Sequence, residues 1–441
     1  MTTLHDRLAD LADDAPPGGP APGLWERGRR YHRQRRAGTL VIAAAVVLGL
    51  IALGSLDWWR ARPEPMPANG APALPQRIWM PSPWLPGTDE TGPLGQLAAL
   101  QPAARRSWTA VHDGVAGVSA TTGEYAFLDL PDLVLTGLPG IALAPDGGHV
   151  AYWYSGETAK SPNSATGPVV GLAVYDTSTG AVVRHPVETD HGVDPVSLSW
   201  ADPARVVYAY YQWAGGDADS DMERSSGRDP SGLRVWAPSS GRDDPVRSPG
   251  GADDVEASTA HGQVLVGSGG SAIVDVDRPD HAVRFTVPNH GFGNTTAIDD
   301  HGTWIAWPHG SSNPGPIAYG RIVEGERVDY QEVPGTRRAF SVRAWLDRHH
   351  VAAVQRVGGG IGPSALFSID VRTGTSTEIL RYPLDTYGTT TLLATDLIGA
   401  PTAERPAPPT PLDPRKVAGG AVAVVLGGLG ALVLWRRRVR A

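Results

Sequence analysis

From position 141 to 154 the chain reads IALAPDGGHVAYWY. Ile141, Leu143, Val150, Tyr152 and Tyr154 place apolar side chains at every second residue on either side of Pro145-Asp146-Gly147-Gly148. Alternation at period two predicts two short strands. Asp bonds its own backbone in the turn between them, and Gly accepts the positive φ that a tight hairpin needs. The pattern returns with other letters at 196–210 (VSLSWADPARVVYAY), 255–267 (VEASTAHGQVLVG), 296–307 (TAIDDHGTWIAW) and 342–354 (VRAWLDRHHVAAV). A second strand-turn-strand module follows most copies, at 174–183 (VYDTSTGAVV), 235–243 (VWAPSSGRD) and 369–380 (IDVRTGTSTEIL). Each repeat therefore holds about four strands and recurs every ~40 to 60 residues, as in a β-propeller.

The segment LAPDGGHVAYW resembles the SPDG-then-apolar-strand motif of TolB-type and WD40-like propellers. It is the one near-complete copy, and the resemblance covers roughly 107–399. The Gly-His and Trp-Asp dipeptides of WD40 repeats are missing, so the TolB-like side is the better match. Ahead of the first full repeat, 107–112, 114–120 and 124–130 predict three strands. A fourth, Thr391 to Ile398, would complete that sheet from the far end of the domain and leave no open edge. The fold expected is all-β, a six-bladed β-propeller at about 49 residues per blade; seven blades at about 42 also fit.

Apolar runs of another kind flank this domain. Residues 37–56 and 417–435 carry no charged side chain, and about 20 such residues span a bilayer core. Trp58 and Trp59 follow the first run, and Arg436, Arg437, Arg438 and Arg440 follow the second. The expected organisation is a cytoplasmic tail (1–36), a transmembrane helix (37–56), a Pro-rich linker with an extended segment at Gln76–Leu85 (57–106), the propeller (107–399), a second Pro-rich linker (400–416), a second transmembrane helix (417–435) and a basic cytoplasmic end (436–441). Six arginines before the first run and four after the second place both termini inside and the propeller outside the cell membrane. Gly419, Ala423, Gly427 and Ala431 recur every fourth residue, a smooth face for helix packing. In the tail, Leu4, Leu8 and Leu11 share one helical face between a Thr3 cap and the Pro16-Pro17 stop. That stripe suits a partner's groove.

Charge sharpens the division. Residues 1–36 hold seven arginines against five acidic residues, whereas 57–416 hold 27 Lys and Arg against 41 acidic residues. A domain so acidic is a poor phosphate binder, so nucleic acid is not an expected partner. The chain has no cysteine, which excludes disulfides and Cys-based zinc sites.

Catalytic motifs are missing from the sequence: there is no HExxH, GxSxG, Walker or GxGxxG pattern. Asp300-His301-Gly302-Thr303-Trp304 is a near miss to a sialidase Asp box and reads as a turn. The run from Asp217 to Asp221 begins like a calcium loop, but Met222 stands where Gly is needed and Arg228 where Glu is needed. No catalytic residue, cofactor or metal is expected. The leading reading is a non-catalytic, membrane-anchored extracytoplasmic sensor or platform for a protein or ligand. A second is a regulator of an extracytoplasmic-function sigma factor acting through the tail, since the arrangement resembles actinobacterial membrane proteins that accompany such factors. A propeller hydrolase or lyase ranks last.

Overall fold

The computed structural model describes residues 70–135, 140–160, 167–213, 229–248, 255–258, 262–267, 271–288, 296–310, 315–336, 338–357, 363–383, 391–411 and 413–440, with positions 13 and 23. Pro63–Thr410 forms one compact unit. Its strands fall into antiparallel meanders. Sheet 1 opens with β1 (Leu97–Arg106), β2 (Val111–Ser119) and β3 (Tyr125–Phe127). Sheet 2 contains β4 (Ile141–Leu143), β5 (His149–Ser155), β6 (Val169–Asp176) and β7 (Val182–Pro186). Sheet 3 contains β8 (Val193–Asp202), β9 (Arg205–Gln212), β11 (Leu233–Ala237) and β12 (Arg242–Val246), with the short β10 (Asp229–Pro230) beside β9, and a single pair, Val169–Val193, joins it to β6 of sheet 2.

Sheet 4 contains β13 (Val255–Ser258), β14 (Gln263–Val266), β15 (Ala272–Asp275) and β16 (Arg278–Arg284). Sheet 5 contains β17 (Ala297–Ile298), β18 (Trp304–Pro308), β19 (Ile317–Arg321) and β20 (Asp329–Glu332). Sheet 6 contains β21 (Ala339–Trp345), β22 (His350–Arg356), β23 (Ser364–Asp370) and β24 (Ser376–Arg381). The last strand, β25 (Leu392–Leu393), returns to sheet 1, where Leu393 pairs with Ala99 and Leu392 with Leu100.

These sheets are joined into a ring by what their side chains bury. Leu100, Val115 and Phe127 of sheet 1 pack with Val150 and Tyr152 of sheet 2 and with Val354, Leu366 and Leu380 of sheet 6. Trp153 and Leu172 of sheet 2 meet Val206 and Trp236 of sheet 3. Val207 and Val235 meet Val264 and Val274 of sheet 4. Leu265 and Ile273 meet Ile305 and Trp307 of sheet 5, and Ala306 and Ile317 meet Val342 and Val351 of sheet 6. Each sheet thus buries both faces, and the sixth returns to the first. The first strands lie side by side in the order β25, β4, β8, β13, β17, β21, which places them innermost.

All five expected hairpins and the three second modules form at the expected places. Two details differ. The strand Leu97–Arg106 precedes the expected start at 107, and 111–119 is one strand rather than two. Gly114 is no turn residue there: the Phe127 ring fills the space a side chain would need, at 3.0 Å from a Cβ built on it. The closing strand expected over 391–398 pairs only at 392–393 before a 3₁₀ turn at Thr395–Leu397.

The other unit comprises Met1–Arg62 with Pro411–Ala441. Its described part is the 27-residue helix Pro414–Arg440, which covers the second expected span; several of that helix's side chains lie outside the described residues, as does the first span at 37–56. Among the described residues no helix is long and apolar enough to cross a membrane.

Candidate functional site

A four-stranded meander puts its first-to-second and third-to-fourth connections at one end, and its second-to-third connection and the link to the next sheet at the other. In this ring the first end is made of short turns. At least seven of its turns carry, in the turn or at the strand end before it, an aspartate whose carboxylate accepts from the turn's backbone. Asp146 accepts from Gly148 N at 2.8 Å, and Asp176 from Ser178 and Thr179 N. Asp202 accepts from Ala204 N, Asp275 from Asp277 N, and Asp299 from Thr303 N at 2.6 Å and Trp304 N at 2.7 Å. Asp347 accepts from His349 and His350 N, and Asp370 from Arg372 and Thr373 N. The turn-type reading of 300–304 is the observed one.

These bonds move the carboxyls. Burial pushes Asp176 up, but the Thr179 and Ser178 N–H groups outweigh it and hold the group below its ordinary value. Asp347 behaves likewise, with burial opposed by the His349 N–H and by His350. Asp370 is lowered directly by the Arg372 and Thr373 N–H groups.

The Pro145–Gly148 turn is also a junction. Gly147 has φ 74°, and a Cβ there would overlap the Leu97 carbonyl oxygen. Leu97 N–H donates to Gly147 O, Asp396 N–H to Pro145 O and Gln96 Nε2 to Asp146 O. The most complete repeat motif therefore stands where the first and last strands of the domain meet.

The opposite end carries the longer connections, at 128–140, 156–168, 213–232, 285–296 and 382–391. Around sheets 2 and 3 its described backbone is knitted together: Lys160 N–H donates to Asp190 O, Lys160 Nζ to Asp190 Oδ2 at 2.6 Å, Gln212 Nε2 to Glu188 O and Trp213 N–H to Gly192 O. Asp132 is the one described non-glycine residue with positive φ, 60°, a conformation that costs energy and recurs at functional positions. Its carbonyl accepts from Ser155 N–H, and its carboxylate pairs at 2.7 Å with Arg184, which lies over the Tyr154 ring. Trp108, at the tip of the β1–β2 hairpin, is 53% exposed and Val111 56%.

One polar cluster sits between sheets 2 and 3. His185 stacks on Trp236 with centroids 5.0 Å apart, and its Nε2 lies 3.1 Å from Tyr208 OH and 3.3 Å from Asp243. Tyr208 OH donates to Asp243 at 3.0 Å, and Arg234 Nε and Nη2 reach the same carboxylate. Burial pushes Asp243 up, but His185 and Arg234 outweigh it and keep it ionised. Burial also drives Tyr208 far above its ordinary value. The cluster ties β7 of sheet 2 to β9, β11 and β12 of sheet 3. No sequence spacing announces it, because its members come from four strands. Among the described residues no group of three or more His, Cys, Asp or Glu could hold a metal.

Leu4, Leu8 and Leu11 lie outside the described residues, as does 217–221. Gly419, Ala423, Gly427 and Ala431 are exposed on the C-terminal helix. Among the described residues nothing lies within 4 Å of a Cβ built on Gly419 or Gly427.

No known protein family matches the chain, and no curated protein does. Similar solved structures include TolB from Acinetobacter baumannii, a β-propeller protein (15% identity, 67% of this chain and 69% of that one, TM-score 0.35). An oligogalacturonate lyase from Vibrio parahaemolyticus matches with 10% identity over 61% of this chain and 71% of that one, TM-score 0.37. An uncharacterized protein from Listeria monocytogenes matches with 8% identity over 71% and 88%, TM-score 0.37. At these scores the likenesses assign no activity.

Proposed function

We propose that the chain is a non-catalytic binding platform or sensor: a six-bladed β-propeller held at a membrane, which presents its long-connection end to an extracytoplasmic protein or ligand. The observation that carries the reading is the difference between the two ends of the ring. One end is occupied by carboxylate-capped turns packed against each other. The other bears the long connections, the positive-φ Asp132 and the exposed Trp108, and binding residues gather on loops positioned by a rigid scaffold. Membrane attachment is supported by the uncharged stretches 37–56 and 417–435 and the arginines beside them. It is also supported by exposed Val422, Leu426, Leu429, Val433 and Leu434 on the C-terminal helix, an apolar surface that lipid would cover.

The absence of cysteine makes a direct test simple. In intact cells, single cysteines placed as Pro20→Cys, Ser220→Cys and Arg440→Cys should react with a membrane-impermeant thiol reagent at 220 alone. Labelling at 20 or 440, or protection at 220, would overturn the anchored topology.

A further inference from the structure

The ring is closed by one of its two shortest first-to-second-strand ladders, the other being β17–β18 of sheet 5. Sheet 1 receives its innermost strand from the far end of the domain, and only the pairs Ala99–Leu393 and Leu100–Leu392 hold it, followed by Ala394 N–H to Ala98 O. A two-residue ladder is too short to be stable alone. On the outside of the same seam lies the segment 73–88, which the strands of the six sheets do not include.

This segment touches both sides of the seam. On the sheet 6 side, Ile78 N–H donates to Arg381 O and Arg381 N–H to Gln76 O, both at 2.9 Å, so the segment lies along the end of β24. On the sheet 1 side, Trp79 N–H donates to Tyr125 OH, Arg106 N–H to Pro83 O and Phe127 N–H to Pro86 O. Asp129 N–H donates to Thr88 Oγ1. Leu74 and Ile78 are fully buried and Leu85 nearly so, all within the apolar cluster that joins sheets 6, 1 and 2. The segment also holds the chain that leaves the ring: Gln76 N–H donates to Ala403 O and Ala403 N–H to Leu74 O.

We infer that 73–88 is a clamp that keeps the ring shut, and that the seam between β25 and β1 is where the ring opens when the clamp is released. Parting β25 from β1 breaks few backbone bonds. It also requires sheets 6 and 1 to separate, which pulls Ile78 and Leu74 out of the core. The clamp therefore supplies the stability that the short ladder lacks. Because the incoming and outgoing stretches of chain are bonded to each other at 74–76 and 403, a load on either end falls on this joint first. The inference rests on bonds within the ring and stands whether or not the chain is anchored in a membrane.

Two changes in the full-length chain test it by hydrogen exchange. Ile78→Ala should speed exchange in 97–101 and 391–395 by at least about tenfold through local opening, while 263–267, in sheet 4, keeps its rate. In the double variant Pro75→Cys, Ala403→Cys, the oxidised form should exchange more slowly at 97–101 and 391–395 than its own reduced form, again without change at 263–267. If oxidation leaves the seam unchanged, or if 263–267 moves in step with it in either experiment, the clamp inference fails. The disulfide comparison decides the matter even where Ile78→Ala does not fold.

Discussion

The two ends of the ring use their backbone in opposite ways. At the turn end, connections are short, aspartates cap them, and the turns of one sheet are bonded to the strands of the next, as Leu97 to Gly147 and Gly262 N–H to Ala201 O show. At the other end, the connections are longer, and their described contacts combine backbone bonds such as those between Gly315 and Ala339 of sheets 5 and 6 with exposed pairs such as Lys160–Asp190, 61% and 54% accessible. Turns that also serve as inter-sheet contacts cannot vary without disturbing the ring. Longer connections leave more residues outside such contacts, and under the proposed function recognition would reside there.

That contrast can be broken most sharply at glycine. Gly147→Ala combines a positive φ with a collision against backbone, and should cost about 3 kcal/mol in chemical denaturation. Gly310→Ala, at the opposite end with φ 108° and nothing within 4 Å of the new Cβ, carries only the conformational strain and should cost about 1 kcal/mol. Equal losses would remove the distinction between the ends. Next in size is Asp299→Ala, which leaves the Thr303 and Trp304 N–H groups without their acceptor and should cost about 2 kcal/mol by the same measurement.

Acid should act through the turn end as well. Asp176 and Asp347 have folded pKa values below the ordinary 3.8, so the folded state binds protons more weakly than the unfolded one. Their contribution is present in full above about pH 4 to 5 and is lost as pH falls through the lower folded values. Denaturation midpoints at pH 7 and pH 3 should differ less in Asp176→Asn than in the unaltered chain. The smallest effect belongs to the long-connection end: Lys160→Ala removes an exposed ion pair and should barely move the denaturation midpoint, the difference shrinking further in high salt.

Legibility in the sequence followed the same division. Hairpins such as 196–210 and 342–354 were readable because an apolar-polar-apolar rhythm and an Asp or Gly turn specify them locally. The alternation was misleading in one respect. It suggests strands with one buried face, whereas Val150 and Tyr152 pack toward sheet 1 and Ala151 and Trp153 toward sheet 3. In a ring every sheet has two neighbours.

Strand β1 was missed because its Ala-rich letters, LAALQPAARR, interrupted by Pro102, have low strand propensity. It is fixed instead by Gly147, β2 and β25, contacts that no local pattern encodes. The extended segment at 76–85 was anticipated, but its role depends on Arg381 and Ala403, some 300 residues away in the chain, and loop closure at that distance leaves no local trace. The candidate binding end was legible only as the place where turn signals gave out. Nothing in the spacing of Asp132, Arg184 and Tyr154 announces that they meet.

Under the proposed function the turn end is scaffold and the long-connection end is the binding surface. Photo-crosslinking in living cells tests it most directly, with a benzophenone amino acid at one exposed position at a time. Trp108, Glu157 and Glu188 represent the long-connection end; Ser178, Ser240 and Arg372 represent the turn end. Ultraviolet-dependent adducts of discrete size are expected from the first set and none from the second. Adducts from the turn-end positions with none from the long-connection positions would contradict it.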